Sequence, residues 1–289
     1  MKKIFLLLAL FPVSASLNAQ GFMCRSNSDF GRGVTIFEDN DRYPDLLLGR
    51  EQVRIRYDCS YAFEDPGRNP IRAEYVLQVG ATVSKFYQLI QHQVDSLLDA
   101  GGRKYRERYD LYGQANFLYV RDCFYVDRNT NKLIFTGRLV TEDFLYEEDL
   151  PQMDWTIGEQ TREVCGFMCR QATTRFRGRD YVVWFAEAIP SSAGPWKLQG
   201  LPGVILEAED IENKVHFLAV SVEQSKSDIR RKDYPYIKVT RKQYARMLEQ
   251  YLSNTAVFAN QHVSRVAGMS VQATGKIDPL PVPVSLELD

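Results

Sequence analysis

Val53-Arg54-Ile55-Arg56-Tyr57-Asp58-Cys59-Ser60-Tyr61-Ala62-Phe63 alternates without a break. Val53, Ile55, Tyr57, Cys59, Tyr61 and Phe63 share one parity; Arg54, Arg56, Asp58 and Ser60 share the other. A period of two held that long marks a strand with one face buried and one wet. Asp65-Pro66-Gly67 then turns the chain, and Ala73 to Gly80 reads as the returning strand. The same grammar recurs further along. Residues 117–126 and 132–141 flank Asp127-Arg128-Asn129-Thr130-Asn131, a hairpin signal. Residues 161–176 and 179–189 pair about Arg177-Gly178, and Val204–Ala208 is joined to Val215–Val222 by Asp210 to Lys214. Sequential strands with short turns predict an antiparallel sheet.

Two segments change period. Over 84–100, Phe86, Leu89, Ile90, Val94, Leu97 and Leu98 fall on one helical face, with Ser84 as cap and Gly101-Gly102 as stop. Thr240 followed by Gln243 has the form of a capping box and opens a second helix through Tyr244, Met247, Leu248, Tyr251 and Leu252. The fold class expected is mainly β (α+β): a curved antiparallel sheet, half-barrel-like, with one or two packed helices. Residues 20–50, with several Asp, Asn and Gly, read as an irregular leader, and 51–275 as a single domain. Residues 276–289 form an extended tail, since Pro279-Leu280-Pro281-Val282-Pro283 lacks donors for a central strand.

The first 19 residues read as a secretory signal peptide. Lys2 and Lys3 form the basic region, Ile4 to Phe11 the apolar run, and cleavage is expected after Ala15 or Ala19. The run is far shorter than the ~20 residues needed to span a bilayer. Cys24 lies too far along to accept a lipid, so the expectation is a soluble exported protein, periplasmic, secreted or associated with the outer membrane, with no transmembrane anchor. Lys+Arg number 36 against 37 Asp+Glu, interspersed, which argues against nucleic acid as a partner. In an oxidising compartment Cys24, Cys59, Cys123, Cys165 and Cys169 are disulfide candidates, with one thiol left over from an odd count.

The most distinctive segment runs from Arg175 to Glu209. It holds Tyr181-Val182-Val183-Trp184-Phe185, Ile189-Pro190, Gly194-Pro195-Trp196 and Gly200-Leu201-Pro202-Gly203-Val204-Ile205-Leu206. Upstream stand Gly166 to Cys169 and Ala172, and further back Ser84-Lys85-Phe86. This pattern resembles the GLPGLI family, exported proteins of Bacteroidota, with Val204 where the family's name has Leu and with Cys165 in addition. The resemblance implies export and leaves molecular function open. Physically, Pro202-Gly203 suits the centre of a type II turn, Pro presetting φ and Gly supplying a positive φ. The following Val204 to Leu206 suits a strand buried on both faces. Gly194, Pro195, Gly200, Leu201, Pro202 and Gly203 are thus expected to build a rigid corner, and Trp184, Trp196 and Leu201 to line a concave binding site on it.

No catalytic constellation emerges. The three histidines His92, His216 and His262 form no metal-protease spacing, and no Gly-x-Ser-x-Gly elbow occurs. His216, between Val215 and Phe217, reads as a packed or rim residue. Glu147-Glu148-Asp149 reads as a solvated loop. Phe22-Met23-Cys24-Arg25 recurs as Phe167-Met168-Cys169-Arg170. Soft sulfur ligands suit monovalent copper, so Cys165, Met168 and Cys169 form a metal alternative. As a continuous strand, however, 161–176 would hold Cys165 and Cys169 about 13 Å apart. The leading expectation is a non-enzymatic binding or accessory protein for an apolar or peptidic ligand, or for another envelope protein, without a cofactor. Copper handling and a purely structural envelope role are the alternatives.

Overall fold

Residues 53–61 of the alternating stretch lie within β1 (Asp45–Tyr61), the longest strand among the described residues. The structure, a computed structural model, describes residues 43–63, 67–90, 122–139, 142–253 and 284–289. The signal peptide, Cys24, His92, His262 and Pro279 to Pro283 lie outside the described residues. Ile55, Tyr57 and Cys59 are fully buried, and the parity read from the sequence holds through to Tyr61. Burying side chains of the size of Ile55 or Tyr57 contributes about 1.5–3 kcal/mol each.

The strands following β1 are β2 (Ile71–Gly80), β3 (Val83–Gln88), β4 (Cys123–Asp127), β5 (Lys132–Leu139) and β6 (Glu142–Asp149). Then come β7 (Thr156–Val164), β8 (Phe167–Phe176), β9 (Arg179–Ala186), β10 (Val204–Asp210) and β11 (Val215–Gln224). The last two are β12 (Asp228–Lys232) and β13 (Ile237–Lys238), and α1 spans Arg241–Ser253. They form one open sheet in the order β13-β6-β5-β4-β3-β2-β1-β11-β10-β9-β8-β7, with β12 paired to β1 off this path. Every pairing is antiparallel except β13 with β6. The fold is therefore mainly β, an open sheet carrying one helix among the described residues.

β1 serves two partnerships. Its first part pairs with β12 and its second with β11 and β2, and the registers slip near Gly49 and Glu51. Glu51 sits at that bend, 2% exposed, and accepts hydrogen bonds from Arg54 Nε and Nη2 (3.0 and 2.8 Å), Gln78 Nε2 (3.3 Å) and Ser225 Oγ (2.7 Å). A buried carboxylate with this many donors is compensated rather than stranded.

Several expectations are corrected. The leader is regular from Asp45 onward, because Asp45 to Arg50 is claimed by β12. The expected helix 84–100 begins as a strand: residues 83–88 pair with β2 on one side and β4 on the other, and only 89–90 are helical before the described stretch ends. Two neighbouring ladders outweigh the weak local preference of Ser84 to Gln88. Residues 161–176 are not one strand but two, folded at Cys165-Gly166, whose φ values of 53° and 81° give the primed turn suited to hairpins. Glu147-Glu148-Asp149 lies within β6 rather than in a loop. No disulfide joins any two of the described cysteines, so the disulfide expectation is not met among them; Cys59 and Cys169 are enclosed by core side chains.

The capping box forms as expected: Thr240 N–H donates to Gln243 Oε1 (2.8 Å) and Gln243 N–H to Thr240 Oγ1 (3.2 Å). It starts α1, whose Tyr244 inserts into the smaller core with Val126, Leu133, Phe135, Phe144 and Tyr146. The larger core lies against β1, β2 and β8–β11 and is closed by residues 187–203.

Candidate functional site

The corner between β9 and β10 works differently from a type II turn. The positive φ values fall at Trp196 (54°) and Gly200 (103°), not at Gly203. Gly203 is needed for room: a Cβ there would stand 2.2 Å from the Ala186 carbonyl oxygen and 2.7 Å from the Glu187 nitrogen. Gly194 is equally confined, 2.5 Å from the Leu198 carbonyl oxygen. Val204, Ile205 and Leu206 are fully buried, as three apolar residues in a row suggest. The ladder slips between Ile205 and Glu207, and the Ile205 carbonyl accepts the Tyr57 hydroxyl at 2.6 Å.

Trp184, Trp196 and Leu201 belong to the large core, at 7%, 3% and 2% exposure. Trp196 packs edge-on to Phe176 at 5.5 Å. What these three meet is protein. The next residue, Lys197, is fully buried, with its Nζ 2.7 Å from Glu148 Oε1 and 2.6 Å from Glu287 Oε1. Arg177 pairs with Glu148 (2.8 Å), and Arg241 with Glu287 and Asp289. Arg179 pairs with Asp210 (2.7 Å) and donates to the Ser285 carbonyl. These groups tie residues 284–289, part of the expected tail, across the end of β9.

The other side of the sheet carries a second polar cluster, in which Glu207 is buried and Arg162 and His216 are partly exposed. In register across it, Trp184 on β9 faces Glu207 on β10, and Glu209 on β10 faces His216 on β11. Arg162 on β7 lays its guanidinium 4.2 Å above the Trp184 ring and reaches Glu207 Oε2. Glu207 Oε1 lies 2.9 Å from His216 Nε2. Burial acts to raise the Glu207 carboxyl, but the His216 hydrogen bond and the Arg162 charge outweigh it and hold the group below its usual range. The hydrogen bond to Glu207 raises His216 above its ordinary value against a smaller opposing effect of burial. The arrangement can hold a cation or a polar ligand on this face of the sheet.

His216 is thus a partly exposed residue near the start of β11, in mid-sheet, with a defined acid partner. Neither Arg162 nor the Glu207–Glu209 pair stands out in the sequence by motif. A signal existed: two acids at period two in an apolar strand, with His216 facing Glu209 when the hairpin is counted through Asp210 to Lys214. Cys165, Met168 and Cys169 do not converge. Met168 is 64% exposed and Cys169 fully buried, on opposite faces of β8, while Cys165 sits in the turn. Burial pushes the Cys169 thiol up to about 11 and raises Cys165, opposing the thiolate that metal binding needs.

Residues 177–207, which span the corner, match the profile of a family described as a protein of unknown function, Porph_ging. No curated protein matches the chain. Among solved structures the chain is similar to PNGF-II in two crystal forms. Identity is 12% over 70% of this chain, with TM-scores of 0.50 and 0.49. The chain spans about a third of PNGF-II (34% and 33%), and a likeness at this identity concerns the fold alone. No described helix is long and apolar enough to cross a membrane.

Proposed function

We propose that this chain is an exported, non-enzymatic binding or accessory protein of the GLPGLI type, acting in the cell envelope on an extended peptide segment. The observation that carries this reading is β7. It ends the sheet, and among the described residues its outer edge has no strand partner. Val164 and Phe167 flank a two-residue turn and exchange hydrogen bonds. Alternation along an antiparallel ladder then turns the backbone N–H and C=O groups of Glu163 and Thr161 outward. An incoming strand would meet these groups, with Arg162 and the Trp184 face beside them. Strand addition takes its affinity from main-chain hydrogen bonds and its selectivity from neighbouring side chains.

The buried Trp184, Trp196 and Leu201 favour a peptide on the edge over an apolar ligand in the corner. The test is a peptide-array and calorimetry screen of the folded protein against its Glu163→Pro variant. Proline is tolerated on an edge where its N–H would face solvent, so the variant keeps its melting temperature while losing the peptides that wild type retains. Equal binding by the variant, or no peptide retained by wild type, ends the proposal.

A further inference from the structure

We propose that Glu207, Glu209 and His216 form a zinc-type site for a divalent transition-metal ion on the open face of the sheet. One ligand atom from each of the three lies within 4.8 Å of the others. The donor set, one imidazole nitrogen and two carboxylate oxygens, is the borderline chemistry that zinc accepts, in contrast to the soft sulfur set suggested by the sequence. Three protein ligands, two of them partly exposed, leave the fourth position of a tetrahedral ion to water or another ligand, as in an open rather than a closed zinc centre.

The geometry needs little adjustment. Ligands at ~2.0–2.1 Å from a tetrahedral zinc stand roughly 3.3 Å apart. His216 Nε2 and Glu207 Oε1 are already 2.9 Å apart, so an ion takes the place of the proton they share after a shift of a few tenths of an ångström. Glu209, partly exposed, already brings a carboxylate oxygen within 4.8 Å of both.

Arg162 is the independent feature that fits this reading. It occupies Glu207 Oε2 and leaves Oε1 to the histidine side. A hydrogen-bonded partner on the far oxygen of a ligating carboxylate is what orients metal ligands elsewhere. The guanidinium is itself steadied by stacking on Trp184 at 4.2 Å. It also offsets one of the two carboxylate charges, so the site is not held together by acids alone. Glu207 and Glu209 come from one strand and His216 from its hairpin neighbour, so the ligands sit on the rigid middle of the sheet rather than on a loop.

The test is cobalt(II) and zinc titration of the full chain after dialysis against a chelator, read by visible absorption and calorimetry. The expected result is one equivalent bound, with a nitrogen–oxygen spectrum and no thiolate-to-cobalt charge-transfer band. Affinity should fall in His216→Ala and Glu209→Gln by more than the roughly 10- to 100-fold that loss of an outer partner costs. Glu209→Gln keeps side-chain size at a partly exposed position and so remains informative if His216→Ala folds poorly. Absence of saturable binding, equal affinity in Glu209→Gln, or a sulfur charge-transfer band overturns the proposal.

Discussion

Two ionic clusters lie at opposite faces of the same half-sheet, and they differ in what surrounds them. Around Lys197 the ammonium is fully buried and shared by Glu148 and Glu287, with Arg177 and Arg241 balancing the acids. Around Glu207 the partners are Arg162 and His216, whose side chains are 41% and 34% exposed. The first cluster is built round an ammonium with no exposure and fastens elements that are far apart in sequence. The second is partly open to water: it joins Glu207 to His216 on the neighbouring strand and to Arg162 on β7, beyond β9 and β8. A charge that joins remote segments in the dark is part of the fold; one that lies on a finished surface is available for something else.

The comparison predicts a gap in stability. Lys197→Ala takes the fully buried shared cation from Glu148 and Glu287 and leaves these part-buried acids to Arg177 and Arg241 alone; it should cost about 3 kcal/mol, the low end for a broken buried pair, read by urea denaturation. Lys197→Met, which fills the space, should still lose most of this, because the acids remain; full stability in Lys197→Met would show that the network contributes nothing. Gly203→Ala, in the same corner, drives a methyl onto the Ala186 backbone and should cost about 1–3 kcal/mol or more. A neutral result there would mean that the corner is looser than 2.2 Å allows.

On the open face the effect is smallest. His216→Gln should change stability by no more than about 1 kcal/mol, as for other half-exposed pairs. That difference has a direction in pH. A histidine raised above 6.5 lends stability that is full below that value and fades as pH climbs through the folded-state value. A carboxyl depressed below 4.5 lends stability present above that value and lost as pH falls through its folded value. The wild-type advantage over His216→Gln should therefore be greatest between 4.5 and 6.5, with Arg162 and Glu209 as the other charges felt by the ring. Proton resonances of His216 should titrate above 6.5 in wild type and lower in Glu207→Gln; no difference between the two would remove the pair from the account.

The fold was largely legible because half-buried strands write their burial directly as alternation, as in Ile55, Tyr57 and Cys59. Hairpins at Asp127–Asn131, Arg177-Gly178 and Asp210–Lys214 announced themselves by turn chemistry, and α1 by its cap. Legibility failed where tertiary pairing overrode local preference. Ser84 to Gln88 carry a helical stripe yet lie between two ladders, and Cys165-Gly166 lacks the Asn or Asp that advertises a primed turn. The site was harder. Lys197 is hidden between Trp196 and Leu198 because its partners are contributed by β6 and by residues 284–289. Glu207 and His216 become a pair only once the register of β10 against β11 is known, and Arg162 arrives from the sheet's edge.

β1 carries a last consequence, in the order of synthesis. It stands in mid-sheet, yet one neighbour, β2, follows after a short connection while the other, β11, lies some way off: Arg56 on β1 meets Ser221 across 165 positions. For most of the time the chain is being made, β1 is therefore an edge, with Ile55, Tyr57 and Cys59 uncovered. Exposed apolar edges recruit other chains, and remote pairings close slowly. The strand that organises the finished sheet is the one most in need of a chaperone while the rest of the chain is on its way.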